Sequence, residues 1–218
     1  MLEYSVLTAV PNIICVVLGT VMALKVDRRS PVEPRRSLLT TFILMAVLSI
    51  CWWAERATED YALHMSIVVV EYVASATILL TIICFAFHYS GYGHLVNRRN
   101  VALLGAAGAL AVVFNATNEW HHLFYATVEI KSDHGLYMMQ AEYGPLFMYW
   151  MFYCVGLLIL SMAVLLKATL ETSGTKRKGI LLIVLGIGIY TASGTLFSLI
   201  ERDPRIDMLS IGLSIAAL

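Results

Sequence analysis

The most constraining feature of this sequence is a series of apolar stretches, each long enough to cross a lipid bilayer. A membrane-spanning helix needs about twenty mainly apolar residues. Six such stretches lie at about residues 4–24, 38–56, 63–88, 101–120, 145–166 and 179–200. A seventh, at 206–218, is incomplete, and we expect it to be a helix truncated at Leu218. The sequence therefore predicts an all-α polytopic membrane protein, a single domain built as a seven-helix bundle.

The composition supports a membrane protein and excludes several other classes. Of the 218 residues, 59% are apolar and only 14% are charged, which is far from the usage of soluble globular domains. The formal net charge is zero, so no basic field favours nucleic acid. The four cysteines are scattered singly through apolar segments, a pattern that suggests neither a disulfide framework nor a zinc site. The lipid bilayer is therefore the first predicted partner.

The basic residues predict the orientation. Eleven of the fifteen Lys and Arg residues fall in the loops after the first, third and fifth stretches. Because cytoplasmic loops carry the excess of Lys and Arg, we expect these loops in the cytoplasm, the N-terminus outside the cell and the C-terminus in the cytoplasm. The outer side then carries most of the acidic residues and a long extracellular loop at about residues 125–143.

The segment Phe114–Phe124 carries two Asn, a Glu and two His into what we expect to be still helix. In a continuous helix Asn115, Asn118, Glu119 and His122 share one stripe, because they are spaced i, i+3, i+4 and i+7. His121 and His122 then point about 100° apart. The two histidines cannot easily bind one metal ion together, so His121, His122 and Glu119 form only a weak alternative metal site.

Glu71 is the most unusual residue within a predicted span, since a carboxylate in hydrocarbon is costly. We expect it to be protonated or bonded to a polar group on a neighbouring helix. Polar residues of four predicted spans reach the same outer level, and small-molecule sites combine an apolar lining with a few such convergent groups. The predicted ligand-binding residues are Trp52, Glu59, Glu71, Asn115, Asn118, His121 and His122.

Several short motifs together resemble a known family. They are Trp52 with Glu59, Glu71-Tyr72, Phe85–Gly91, Thr117–His121, Tyr143-Gly144 and Pro204–Asp207. In their order and spacing they resemble the N-terminal seven-transmembrane sensor region of prokaryotic histidine kinases. One departure is Met208-Leu209, where the family pattern has Thr-Pro.

The resemblance implies a receptor domain of a two-component histidine kinase. Such a domain would bind a small ligand in an outward-facing pocket and relay the signal through the last helix to cytoplasmic kinase domains in the same chain. The resemblance also implies a homodimer. This chain has no phosphoacceptor-His domain and no Gly-rich ATP lid, so we do not expect it to be an enzyme itself, and its residues identify neither the signal nor a cofactor.

Two other interpretations stay open from the residues alone. A membrane enzyme or metalloprotein would use the outer-face His and Glu residues, although no HExxH motif is present. An ion-coupled transporter would be centred on Glu71. No inverted repeat and no paired broken helices support the transporter.

Overall fold

The structure is a computed structural model that describes residues 32–133 and 135–199, together with parts of residues 13–21. The predicted seventh span and most of the first lie outside the described residues, as does the Pro204–Asp207 motif. The described residues between 13 and 21 are helical and are labelled α1.

The remaining elements follow in chain order. They are α2 (Val32–Arg56), α3 (Tyr61–Tyr89), a short 3₁₀ turn (Gly93–Leu95), α4 (Arg98–Ala116), α5 (Asn118–His121), β1 (Tyr125–Asp133), β2 (Leu136–Tyr143), α6 (Pro145–Glu171) and α7 (Gly174–Leu199). Four helices are long and apolar enough to cross a membrane: Pro34–Arg56, Tyr61–Tyr89, Arg98–Ala116 and Pro145–Glu171. The chain is thus a mostly helical membrane domain, and the count of seven spans stays a prediction.

The helix boundaries follow from local chemistry. Asp60 caps α3, its side chain accepting a hydrogen bond from the Leu63 N–H at 2.7 Å, and Asn97 caps α4 in the same way through the Asn100 N–H at 2.9 Å. Such caps satisfy N–H groups that have no partner inside the helix. Pro145 opens α6, where its missing N–H is harmless.

Helix α3 is central, because it packs against α2, α4 and α6. On one side Ala74 and Ile78 pack with Met45 and Leu48 of α2. On the other side α3 contributes to a larger core with α4 and α6, whose buried members include Leu79, Ile83, Ala86, Ala111, Trp150, Leu157 and Leu165. Small residues let these helices approach closely, as is common in membranes.

Residues 125–143, expected to be a long loop, form an antiparallel β-hairpin in which Val128 pairs with Ala141 and Lys131 with Met138. Gly135 supplies the left-handed turn conformation with φ +82°. The strands contain β-branched and aromatic residues, which favour extended backbone. Within the described residues, this hairpin is the only β-structure, and it is where the structure differs from the all-α prediction.

The expected continuous helix through Phe114–Phe124 is wrong. Helix α4 ends at Ala116, α5 covers only Asn118–His121, and His122 is left-handed with φ +50°. Asn115 and Asn118 are buried, while Glu119 and His122 are exposed. The predicted four-residue stripe therefore does not form, because the chain turns back after Thr117 towards the hairpin.

Candidate functional site at the hairpin end

One end of the helical bundle collects nearly all of the predicted site residues. We call it the hairpin end: the last turns of α2 and α4, the first turns of α3 and α6, helix α5 and the β-hairpin. Some of these residues hydrogen-bond to the backbone and stabilise its turns. Others lie at the interfaces between helices.

Asn118 is a clamp between α5 and the start of the hairpin. Its Oδ1 accepts hydrogen bonds from the Phe124 N–H at 3.0 Å and the Tyr125 N–H at 2.9 Å. Its Nδ2 donates to the Tyr125 carbonyl at 3.0 Å. The buried amide therefore binds backbone through both of its polar atoms, and this folds the chain back on itself.

His121 stabilises the same turn. Its Nδ1 accepts a hydrogen bond from the Leu123 N–H at 2.9 Å. In the neutral ring the proton therefore sits on Nε2, which lies 3.2 Å from the Thr117 hydroxyl. That hydroxyl in turn donates to the Val113 carbonyl at 2.7 Å. Both ring nitrogens of His121 are thus engaged, and the neighbouring His122 is exposed.

Metal-ligand groups do not cluster in the described part of the chain. No three His, Cys, Asp or Glu side chains there lie close enough together to hold a metal ion. His121 and His122 differ in backbone conformation as well as in exposure. The structure gives the metalloprotein alternative no support in these residues.

An aromatic cluster joins the hairpin to the helices. Tyr72 of α3 contacts the rings of Phe124 and Trp150, with centroids 5.3 and 4.8 Å apart. Its hydroxyl lies 2.7 Å from the hydroxyl of Tyr125, whose side chain is 1% exposed. Burial raises the pKa of the Tyr125 phenol, and Glu55 and Glu71 nearby raise it further. Tyr125 therefore stays protonated and serves as a hydrogen-bonding group.

The base of the hairpin is tied to the start of α6. The Gly144 N–H donates to the Phe124 carbonyl and the Leu146 N–H to the Leu123 carbonyl, each at 2.9 Å. A Cβ at position 144 would overlap the Leu123 carbonyl, so the close approach requires glycine. The glycine of the Tyr143-Gly144 motif is therefore explained by the lack of space for a Cβ.

A second set of contacts joins the hairpin to the turn between α2 and α3. The Tyr137 hydroxyl donates to Glu59 Oε2 at 2.9 Å, and this bond to a carboxylate raises the pKa of Tyr137. Across this turn, Glu55 Oε1 at the end of α2 lies 3.1 Å from His64 Nε2 at the start of α3. Glu59 is thus a bridging residue rather than a free carboxylate.

Glu71, Trp52 and Asn115 face the helix interfaces. Glu71 lies one turn before Ala74, on the side of α3 that packs against α2, and it is close enough to influence Cys51 and Tyr125 electrostatically. Trp52 packs against the core between α2 and α3. Asn115 is only 2% exposed, and neither polar atom of its amide has a hydrogen-bond partner among the described residues.

Two cavities lie away from these residues. One, of about 260 Å³, is near the opposite end between α3, α4 and α6, and includes Cys84, Phe87 and Leu104. The other, of about 290 Å³, lies between α3 and α4 at mid-depth, with Tyr153 of α6 at its wall. None of the seven predicted ligand-binding residues lines either cavity.

A comparison with known protein families identifies the chain. Residues 7–218 match the family described as the N-terminal 7TM region of histidine kinase. The chain belongs to this family. The resemblance seen in the sequence motifs is thereby confirmed. A search of curated proteins found no match.

Membership of the family establishes the broad class of the molecule. The chain is a multi-pass membrane protein and a 7TM sensory region of histidine kinases, a region that carries no kinase catalytic domain. The cytoplasmic kinase domains of such a protein belong to the same polypeptide.

Sequence reasoning about this sensory region missed His64, Tyr72 and Tyr125 as site residues. The sequence pattern that could have revealed His64 is the short turn between two apolar helices. A carboxylate in the last turn before it and a histidine in the first turn after it are brought together when the helices pack antiparallel. The two tyrosines carried no such local signal, since their contact joins residues far apart in sequence.

Proposed function

We propose that this sensory region is the receptor of a two-component histidine kinase and binds a small molecule at its hairpin end. In this proposal the N-terminus and the hairpin end face the outside of the cell, as the loop charges indicate. The last helix then enters the cytoplasm and leads to the kinase domains. The receptor works as a homodimer, as the family resemblance implies.

The observation that carries the proposal is the Asn115 amide. A buried polar group without a partner costs about 1–3 kcal/mol. Both polar atoms of Asn115 are in this position among the described residues. A ligand that offers one hydrogen-bond acceptor and one donor would satisfy the Asn115 amide, so we expect a small molecule carrying a carboxamide, a carboxylic acid or neighbouring hydroxyl groups.

The position of Asn115 favours a site inside the bundle. Ala111 and Gly108 lie one and two turns before it on the same side of α4. Ala111 is fully buried, and Gly108 approaches Ala76 of α3 and Tyr153 of α6. We therefore infer that the amide faces the junction of α3, α4 and α6.

The other predicted residues take two kinds of role in this proposal. Glu71 and Trp52 are further candidates for ligand contact, because they lie at the interface of α2 and α3. Asn118, His121 and Glu59 are positioning residues, since their polar atoms hold the backbone turn and the hairpin. His122 is exposed on the rim.

Signal transmission requires that the ligand prefers one of two helix arrangements, because equal affinity for both shifts no equilibrium. A ligand held at the junction of three helices can favour one packing over another. The expected output is a small rigid-body or register shift of the last helix.

A thermal-shift screen tests the ligand site. The chain in lipid nanodiscs is screened against a panel of small amides, carboxylic acids and polyols, and every compound that raises the melting temperature is retested on Asn115→Leu. The matched control is Gln140→Leu, which removes an exposed amide from β2. We expect the shift to vanish in Asn115→Leu and to persist in the control. A shift that survives in both Asn115→Leu and Glu71→Gln would refute the site.

A further inference from the structure

His64 is a completely buried histidine in the first turn of α3, with 0% of its side chain exposed. Its Nε2 lies 3.1 Å from Glu55 Oε1, and the Glu55 side chain is 19% exposed. Its Nδ1 lies 3.3 Å from the Thr58 carbonyl. The ring thus bridges the end of α2, the turn and the start of α3.

The chemistry of these partners determines how many protons the site holds. A backbone carbonyl only accepts hydrogen bonds, so Nδ1 must carry a proton. If Glu55 is ionised, Nε2 must carry a proton as well, and the ring is a cation. With both contacts formed as hydrogen bonds, the pair therefore holds one proton more than a neutral imidazole beside a carboxylate.

We propose that Glu55 and His64 form a proton-binding latch between α2 and α3 that opens when this proton is lost. Without the proton the neutral ring keeps one unprotonated nitrogen, whose lone pair faces the Glu55 carboxylate at Nε2 or, in the other tautomer, the Thr58 carbonyl at Nδ1. This contact is repulsive, and a low-dielectric environment strengthens the repulsion. The ring or the carboxylate then has to move, and the helix ends separate or admit water.

The latch is connected to the hairpin through the turn between α2 and α3. Glu59 lies one helical turn beyond Glu55 in sequence and accepts the Tyr137 hydrogen bond from β2. Asp60 caps α3, and the Thr58 hydroxyl donates to the Ala54 carbonyl at 2.6 Å. The turn is therefore a small bonded unit, so a change at His64 is transmitted to the position of the hairpin.

Other titratable groups surround the latch. Glu71 follows His64 by two turns on the same side of α3, and both Glu55 and Glu71 influence Cys51 and Tyr125 electrostatically. The turn adds two acidic groups with hydrogen bonds of their own. Glu55 interacts electrostatically with Cys51 and Tyr125. Arg56, Glu59 and Asp60 are its neighbours in sequence, and Tyr137 binds Glu59.

The acidic groups favour retention of the shared proton, and the state that binds more protons is favoured at lower pH. The latch is therefore closed in acid and opens as the pH rises. Its existence does not depend on the proposed small-molecule site. Only its assignment to external pH rests on the proposed orientation of the hairpin end.

Nitrogen NMR of the chain in nanodiscs, with ¹⁵N-labelled histidine, tests the proton count directly. His64→Gln identifies the His64 signals. We expect both ring nitrogens to be protonated at about pH 5, followed by loss of one of the two protons towards about pH 9. A His64 ring that keeps a single protonated nitrogen throughout this range overturns the proposal.

Glu55→Gln tests whether the additional proton is needed, because it keeps a hydrogen bond to His64 without that proton. The glutamine amide can donate to an unprotonated Nε2, so the bridge survives with a neutral ring and needs no additional proton. The melting temperature of the wild type should fall by about 2–4 °C more than that of this variant between about pH 5 and pH 9. His94→Gln, an exposed histidine outside the hairpin end, should keep the wild-type pH dependence. Equal pH dependence in Glu55→Gln and the wild type would overturn the latch, and if this variant does not fold, the NMR titration of the wild type decides.

Discussion

The hydroxyl of Tyr72 lies 2.7 Å from the hydroxyl of Tyr125, so one hydrogen bond in the aromatic cluster joins the central helix α3 to the first strand of the hairpin. The Tyr125 side chain is almost completely buried, and a buried hydroxyl that loses its partner carries a penalty. The pair is therefore a sensitive measure of how firmly the hairpin is held to the bundle.

Tyr72→Phe should destabilise the chain by about 1–3 kcal/mol, because it leaves the Tyr125 hydroxyl buried and unpaired. The double variant Tyr72→Phe with Tyr125→Phe should recover part of this loss, since no polar atom is then stranded. Thermal unfolding in nanodiscs measures both. A double variant that is less stable than the wild type by the full sum of the two single effects would contradict the direct pairing.

Tyr125 also predicts a dependence on alkaline pH. Its pKa is raised mainly by burial, so the folded state holds the phenol proton more tightly than the unfolded chain does. Stability should therefore fall as the pH rises above about 10, where an unfolded tyrosine ionises. Melting temperatures from about pH 8 to pH 11 should fall less steeply in Tyr125→Phe than in the wild type. An equal slope in Tyr125→Phe and the wild type would contradict a raised pKa of Tyr125.

Asn118→Ala should cost about 2–4 kcal/mol, because it removes three hydrogen bonds to the backbone of Phe124 and Tyr125. Hydrogen exchange should accelerate at the two amides that Asn118 binds. Asn115→Leu is the informative comparison, since it removes an amide of the same type that has no partner among the described residues. We expect that variant to be as stable as the wild type or more so, and a large loss of stability there would show that Asn115 has a structural role.

The long apolar segments were predictable because the bilayer imposes a length and a composition on each span. The predicted spans at 38–56, 63–88, 101–120 and 145–166 correspond to α2, α3, α4 and α6. The predicted span at 179–200 falls on α7, which is helical but is not among the helices found long and apolar enough to cross a membrane.

The turn at Thr117 was not predictable from helical spacing. The apolar run before it continues smoothly into Phe114, and Asn118 fits a helical stripe as well as it fits a clamp. What decides between them is contact with Phe124 and Tyr125, which exists only once the hairpin has folded back. The hairpin itself was hidden because its strands are short and lie between two much stronger helical signals.

Some residues of the candidate site can be recognised in the sequence alone. Glu71 and Asn115 stand out in sequence because they are polar groups among apolar neighbours, and the structure places both at helix interfaces. The burial of His64 and its pairing with Glu55 depend on the way α2 and α3 meet. The contact between Glu55 and His64 results from packing across a turn, and it cannot be inferred from either residue alone.

Gly144→Ala should disrupt the base of the hairpin, because its Cβ would overlap the backbone carbonyl of Leu123. A backbone atom held by a hydrogen bond to Leu146 cannot move aside easily. We expect a loss of about 3 kcal/mol, at the upper end of the usual range for overpacking. Gly156→Ala, on α6 where a Cβ meets nothing within 4 Å, should instead be neutral or gain up to about 1 kcal/mol from helix propensity. Similar melting temperatures for the two variants would contradict the close approach at Gly144.

Gly108 of α4 packs closely against Tyr153 of α6. A Cβ on Gly108 would lie 2.7 Å from the Tyr153 hydroxyl oxygen and 3.3 Å from the Ala76 Cβ, so Gly108→Ala should force the helices apart and lower stability by about 1–3 kcal/mol. The Tyr153 hydroxyl is buried without a partner among the described residues, so Tyr153→Phe should be neutral or stabilising and should relieve part of the Gly108→Ala defect. The two changes should therefore be non-additive in a double-mutant cycle measured by thermal unfolding. Strict additivity would mean that α4 and α6 do not meet at this point.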